Sequence, residues 1–399
     1  FKSCKSPEMT IKEKIKNKPI GIITMHKVLN FGSALQAYGL QYAIKELGFE
    51  VCIIDYDFPN EFHNRNTPKK NIIKKLFDGN FFRKLKYKLA TLLWLDWSDQ
   101  KTQFIEFYHK YYNLSRPYHS RTELLTTPPS LSVVVVGSDQ VWNPNHMCGD
   151  SIFFGEFALN IPRISFASSF VVSQIPKEFK SLYKSYLNKF IALGVREQNG
   201  QTIINELLGK ASQIVCDPAL LLGKQRCLEL ANNSKISIQK PYILAYILDY
   251  NFNPHPTIDR LIIKLSKKYN LDVVYLQCGN IQGSQRIGKQ IFNAGPIEFL
   301  YLINHAKIVI TSSFHGVALS ALLEKDFYTV IDSKKDDDRI FSFCNKIGTT
   351  DRIIRQGCKI SSIKSSPMNW EIITPRLNHL RNESIHFLRN SIQNALENV

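Results

Sequence analysis

Pro19-Ile-Gly-Ile-Ile-Thr24, a loop from His26 to Gly32, the run Ser33 to Leu47, and Val51-Cys-Ile-Ile-Asp55 together decide the fold class. The first and last pieces are short, apolar and isoleucine-rich, as strands buried on both faces are. Between them Leu35, Tyr38, Leu40, Ala43, Ile44 and Leu47 recur at helical spacing, and Gly48 follows as a stop. A strand, a helix and a strand in that order form a βαβ unit, the start of a parallel sheet.

The same alternation continues outward. Leu131 to Val136 is a β-branched run that opens into Gly137-Ser138-Asp139. Arg163–Ala167 and Ala192–Val195 read as further strands, with helices at Phe179–Phe190 and Gln201–Leu208, and Ile214-Val-Cys-Asp217-Pro218 closes the half. Residues 223–240 are polar and charged and are expected to be a linker. A second set follows, with strands at Tyr242–Leu248, Asp272–Leu276, Lys307–Thr311 and Phe327–Ile331. Its helices are Ile258–Tyr269, Pro296–Asn304, Gly316–Leu323 and Arg339–Ile347, and a long amphipathic helix spans Pro375–Leu396. The expectation is an α/β protein of two Rossmann-like domains facing across a cleft. Residues 1–18 form a lead-in, 19–222 the N-terminal domain, 223–240 the linker, 241–374 the C-terminal domain, and 375–399 a terminal helix. Ligands of such sheets sit at the carboxyl ends of strands.

Composition narrows the class. The chain has 399 residues, 44% of them hydrophobic, which excludes disorder and collagen-like repeats. No apolar run approaches the roughly 18 residues of a membrane-spanning helix. The first residue is Phe1, not Met, which reads as a processed or trimmed edge, and no apolar signal core follows it. A soluble, cytoplasmic protein is expected. The eight cysteines are scattered without a CxxC pair, and His305 and His315 have no cysteine at zinc-finger spacing, so no metal site is indicated. Lysine and arginine number 51 against 34 acids, a net charge of +17, which favours an anionic partner. Part of the excess sits in residues 69–97, where lysines interleave with Ile72, Leu76, Phe81, Leu85, Leu89 and Leu92. Two readings stay open there: a basic amphipathic face lying on an anionic membrane, or a helical insertion packed on the domain.

Three strand-to-helix loops carry chemistry. Thr311-Ser312-Ser313-Phe314-His315-Gly316 places a helix N-terminus, two hydroxyls and an imidazole together, a ready phosphate or carboxylate site. Gly137-Ser138-Asp139-Gln140-Val141-Trp142-Asn143-Pro144 offers Asp139 as a base for a hydroxyl. There Gln140 and Asn143 are hydrogen-bonding groups for a sugar, and Trp142 is a surface for stacking on it. Asn30-Phe31-Gly32-Ser33-Ala34-Leu35-Gln36 opens the first helix, with Gln36 one turn in. It lacks GxGxxG, and no Walker A sequence occurs, so a dinucleotide or P-loop site is not indicated. Arg196 and Arg339, each just past a strand or at a helix start, are candidate bidentate anion clamps, and His26 is a candidate cleft residue. Each feature also has a plain structural reading: a capped helix, a tryptophan in the core, or a surface ion pair.

Taken together, the pieces resemble the polysaccharide pyruvyl transferase family over roughly residues 19–355. The resemblance is carried by Asn30-Phe-Gly-Ser-Ala-Leu-Gln-Ala-Tyr38, Val136-Gly-Ser-Asp-Gln-Val-Trp-Asn143, Ile164-Ser-Phe-Ala-Ser-Ser-Phe170, Val195-Arg-Glu197, Cys216-Asp-Pro-Ala-Leu220 and Thr311-Ser-Ser-Phe-His-Gly316. It implies a fold of the GT-B glycosyltransferase kind. It also implies transfer of the enolpyruvyl unit of phosphoenolpyruvate to a sugar, usually as a ketal bridging two hydroxyls of a surface polysaccharide or its lipid-linked precursor. Several members have Arg-Leu-His where this chain has Ser313-Phe314-His315. The histidine matches, Ser313 stands in place of the arginine, and Arg196 or Arg339 is left to supply the anion contact.

The site expected from residues and resemblance has His315 and Asp139 as catalytic groups. Ser312, Ser313, His315, Gly316, Arg196 and Arg339 form the donor side. Asn30, Gly32, Gln36, Ser138, Gln140, Trp142 and Asn143 form the acceptor side. Phosphoenolpyruvate is a co-substrate and no cofactor or metal is called for. A lipid-linked acceptor would bring the protein to the inner membrane face. Two rivals remain: a GT-B glycosyltransferase using a nucleotide sugar, with Glu324 on the ribose, and a non-catalytic anion or nucleic-acid binder. No nucleic-acid motif occurs, and the aromatics are not strung along basic stripes.

Overall fold

The chain is described from a computed structural model that covers residues 18–66, 97–248, 252–276, 288–333, 338–360, 363 and 366–397. The expected lead-in over 1–18 and the basic segment 69–97 fall almost wholly outside these residues.

The N-terminal βαβ unit consists of β1 (Ile20–Ile23), the helix Phe31–Glu46 and β2 (Val51–Tyr56). Five more parallel strands complete the first sheet: β3 (Leu114–Tyr118), β4 (Val134–Val136), β5 (Arg163–Ser168), β6 (Ala192–Val195) and β7 (Gln213–Ile214), in the order β3-β2-β1-β4-β5-β6-β7. Val133 to Val136 are fully buried, as a strand covered by helices on both faces must be. The second sheet has β8 (Tyr242–Tyr246), β9 (Asp272–Leu276), β10 (Lys289–Ile291), β11 (Ile308–Thr311), β12 (Asp326–Ile331) and β13 (Ile353–Arg355), in the order β10-β9-β8-β11-β12-β13. In both sheets the strand order reverses once, between β1 and β4 and between β8 and β11. In sheets of this kind, ligands bind at such switch points, beyond the carboxyl ends of the strands.

Several elements depart from the sequence expectation. The segment 223–240, expected as a linker, opens with the helix Gly223–Ala231, whose Cys227, Leu230 and Ala231 are buried. Three short edge strands, β3, β10 and β13, and the helix Trp97–Tyr111 carry no clear period in the sequence. The terminal helix runs Trp370–Glu397 and contains Pro375 within it. It returns to the first domain: Ser384 Oγ accepts from the Cys216 amide (2.8 Å) and Arg381 Nε donates to the Leu220 carbonyl (2.7 Å).

The two sheets share a continuous apolar core. Phe31, at the start of the first helix, stacks on Phe104 (centroids 5.3 Å) and on Phe299 of the second domain (4.9 Å), with its edge to Tyr246 (5.7 Å). This is one of the contacts that join the two domains. Among the described residues no helix is long and apolar enough to cross a membrane.

Candidate active site at the domain junction

The first-domain side is built by the chain leaving β4. Gly137 has φ +126°, and a Cβ there would run into the Phe166 carbonyl, so glycine is required by space as well as by conformation. Ser138 is pinned on all sides. Its amide donates to Gln36 Oε1 (3.3 Å), its carbonyl accepts from Thr24 Oγ1 (3.0 Å), and its Oγ donates to the Ala167 carbonyl (3.0 Å). Asp139 follows with φ +69°, a left-handed conformation that costs a residue with a Cβ. The turn aims its carboxylate at the junction, where Oδ2 accepts from Ser33 Oγ at 2.6 Å.

Arg196 and Glu197 leave the end of β6, and both are buried. Arg196 Nη1 pairs with Asp217 Oδ2 at 2.7 Å, and Nη2 lies 3.6 Å from Asp139 Oδ1. Asp217 caps the turn Pro218–Leu222 through its Oδ1, which accepts from the Ala219 amide (3.0 Å). Its Oδ2 also lies 3.4 Å from Ser138 Oγ.

The second domain contributes the helix Phe314–Leu322, capped by Ser313, whose Oγ accepts from the Gly316 amide (3.4 Å). His315, in the first turn, reaches across the junction. Its Nε2 is 3.4 Å from Asp217 Oδ2, in ion-pair range but without hydrogen-bond geometry. The Arg196 guanidinium sits over the Phe314 ring, 4.9 Å from its centroid. Arg196 of one domain thus fills the space beside Ser313-Phe314-His315 of the other.

Electrostatics divide the carboxyls. Burial pushes Asp217 up, but His315, Arg196 and the Ala219 amide more than offset it and hold the carboxyl well below the usual range. Glu197 goes the other way: burial raises it, against the charges of Arg196 and Arg339 and the hydrogen bonds of Ser169 Oγ (2.7 Å) and the Phe170 amide (3.1 Å) to Oε1. Glu197 Oε2, Arg196 Nε and Nη2, and His315 Nε2 are buried with no hydrogen-bond partner among the described residues. Each such group costs about 1–3 kcal/mol. Four such atoms meet at this junction, which makes it the candidate site.

Of the sequence-expected residues, Asp139, Ser138, Arg196 and His315 meet here, and Arg339 reaches the same place through its charge on Glu197. Others serve the scaffold. Trp142 is corrected: it is fully buried, donates Nε1 to the Phe153 carbonyl (3.0 Å) and stacks on Phe154, so no sugar can lie on it. Gln36 is equally buried, with Nε2 donating to Thr24 Oγ1 and the Ser33 carbonyl (3.0 Å each); it braces the loop rather than facing an acceptor. Asn30 caps the first helix through the Gly32 and Ser33 amides, and Asn143 caps the turn Pro144–Met147 and donates to Gln140 Oε1. Ser312 Oγ bridges the Leu248 amide and carbonyl. Gly32 and Gly316 are spacers, against the His315 ring and the Thr311 side chain. His26 is buried against Asp55 (3.1 Å).

Sequence reading missed Asp217, Glu197, Ser33 and Ser169 as site residues. A signal for Asp217 existed: an acid directly before Pro218, past a strand, is the pattern of an N-cap at a sheet's carboxyl edge. Among the described residues no three His, Cys, Asp or Glu side chains are gathered to hold a metal ion.

Residues 30–334 match the family model described as polysaccharide pyruvyl transferase. The chain belongs to that family. The matched span includes Asp139, Arg196, Glu197, Asp217 and His315. No curated protein matches the chain significantly. Among solved structures it is similar to UDP-GlcNAc 2-epimerase from Neisseria meningitidis bound to UDP-GlcNAc, at 10% identity and TM-score 0.50, covering 95% of this chain and 98% of that one. It is similar also to UDP-N-acetylglucosamine 2-epimerase from Rickettsia bellii, at 10% identity and TM-score 0.50, covering 94% and 97%. At that identity the likeness concerns the fold: two facing parallel-sheet α/β domains of the GT-B kind.

Proposed function

We propose that this family member transfers the pyruvyl unit of phosphoenolpyruvate to two hydroxyls of a surface polysaccharide or its lipid-linked precursor, forming a ketal and releasing phosphate. One observation carries the reading: the Nε–Nη2 edge of Arg196 is buried without a hydrogen-bond partner, with Asp139 Oδ1 (3.6 Å) and Glu197 Oε2 (3.9 Å) near it only at ion-pair range. That edge is the side-on fork that matches a carboxylate. Nη1, already on Asp217, holds the fork in place.

In this reading the donor carboxylate lies on Arg196, and its phosphate faces the start of the Phe314–Leu322 helix and Arg339. Asp217 stays ionised and orients His315. His315 gives a proton to the methylene carbon of the donor, which becomes a methyl group. An acceptor hydroxyl, losing its proton to Asp139, forms a bond to the neighbouring carbon. Phosphate then departs with the electron pair of its C–O bond. The second hydroxyl closes the ketal and releases its proton. Cations fixed at the junction act on the charge that develops on the departing phosphate.

The nucleotide-sugar rival has less support. Glu324, its ribose ligand, sits at the far end of the helix from His315, engaged by Lys224 and by Thr374 Oγ1 (3.0 Å). A cytoplasmic place at the inner membrane face fits a lipid-linked acceptor and the net charge of +17. Calorimetry tests the reading, with phosphoenolpyruvate and UDP-sugars as ligands for wild type and His315→Ala. The expected result is phosphoenolpyruvate binding that the substitution weakens; binding of UDP-sugar alone would overturn it.

A further inference from the structure

The carboxyl of Glu197 is the least explained group at the junction. It is the N-cap residue of the helix Gln198–Leu208, yet its side chain caps nothing there. It turns inward, 1% exposed, and its two oxygens are treated differently. Oε1 accepts from both Ser169 Oγ and the Phe170 amide. Oε2 has no hydrogen-bond partner and lies 3.9 Å from Arg196 Nε. Two donors on one oxygen and none on the other is the pattern of a carboxylic acid whose carbonyl oxygen is satisfied and whose hydroxyl awaits an acceptor.

We propose that Glu197 Oε2 carries a proton and donates it in a hydrogen bond to the carboxylate of the bound donor, so that the donor is taken up together with a proton. The inference rests on the pyruvyl-transfer reading. An anion on the Arg196 fork lies beside Glu197 Oε2 on one flank and Asp139 Oδ1 on the other. Two carboxylates sharing such a place cannot both stay ionised without a large cost. Glu197 is the more deeply buried of the two, its side chain 2% exposed against 8% for Asp139, which makes it the proton's seat. The charged groups facing Glu197 are Arg196, from its own strand end, and Arg339, from the helix Asp338–Ile347 of the second domain. Both act against the proton, and burial acts for it. An anion on Arg196 cancels part of the opposing charge. A ligand with phosphate but no carboxylate would not recruit this proton, so Glu197 also distinguishes phosphoenolpyruvate from simple phosphate esters.

The test is calorimetry of phosphoenolpyruvate with the full chain, from mildly acid to mildly alkaline pH, in buffers of differing ionisation heat. Glu197→Gln keeps an acceptor at Oε1 and puts an N–H donor where the acid's O–H would be. At the alkaline end of that range, where Glu197 is ionised in the free protein, it is expected to bind phosphoenolpyruvate with up to one proton fewer taken up than wild type. Where Glu197 is ionised in the free protein, wild-type affinity falls about tenfold per pH unit more steeply than that of the variant. Equal proton uptake in the two proteins at every pH of the range overturns the proposal, and so does a folded variant that no longer binds. If the variant does not fold, wild type is titrated with phosphoenolpyruvate and with methyl phosphate. An extra proton with the former supports the proposal, and equal uptake overturns it. Absence of phosphoenolpyruvate binding to wild type is a separate result, which removes the functional reading and this inference with it.

Discussion

The imidazole of His315 lies directly against the Cα of Gly32, across the junction of the two domains. A Cβ built on Gly32 would run into Cγ and Nδ1 of the ring. The glycine therefore sets how closely the second domain's histidine approaches Asp217 of the first. Gly32→Ala forces either the ring or the domain contact to move, at a cost of about 1–3 kcal/mol. The expected outcome is a lower urea midpoint together with weakened phosphoenolpyruvate binding. Unchanged binding would show that the ring's position does not matter to the donor.

Asp217 is the group on which Arg196 and His315 converge. Asp217→Asn leaves Arg196 buried with its one close partner neutralised, and is expected to cost about 3–5 kcal/mol of stability. The sign follows from its lowered folded-state pKa. Its contribution is fully present above the unfolded value of about 3.9 and is lost as pH falls through the folded one. Denaturant curves should therefore separate the two proteins at neutral pH and bring them together only in strong acid.

Glu197 has the opposite sign. Its folded-state pKa is raised, so its contribution is fully present below the unfolded value of about 4.3 and is lost as pH rises through the folded one. Wild type should lose stability relative to Glu197→Gln as pH climbs above the unfolded value of about 4.3. Thermal midpoints above that value are the measurement, and parallel curves would count against a proton on Glu197.

Trp142 belongs to the core that supports the Gly137–Asp139 loop. Trp142→Ala removes a fully buried ring and is expected to cost about 3–5 kcal/mol, seen as an earlier unfolding transition. Donor binding by the protein that remains folded should be unaffected, because the ring faces Phe154, Phe170 and Phe190 and not the junction.

The two parallel α/β units follow from local pattern, because buried β-branched runs alternating with helical spacing admit few other folds. That pattern also determined where chemistry could sit, since strand-to-helix loops rich in Ser, Asp, His and Gly fall at the carboxyl edges of such sheets. Asp139, Arg196 and His315 were legible for that reason. Tertiary structure alone decided which side of each loop faces the junction. Gln36, Trp142 and Asn143 are polar or aromatic residues in the right loops, yet each turns into the scaffold, where its hydrogen bonds or its ring are used. Asp217 and Glu197 do the reverse. Their neighbours in sequence give them no charge partner across the cleft. Contacts between the domains, such as Phe31 with Phe299 and Tyr246 and the terminal helix with Cys216 and Leu220, bring His315 to within 3.4 Å of Asp217 and Arg339 into the field of Glu197. A charge's partner and its exposure depend on residues far away in the chain, and local pattern does not encode them.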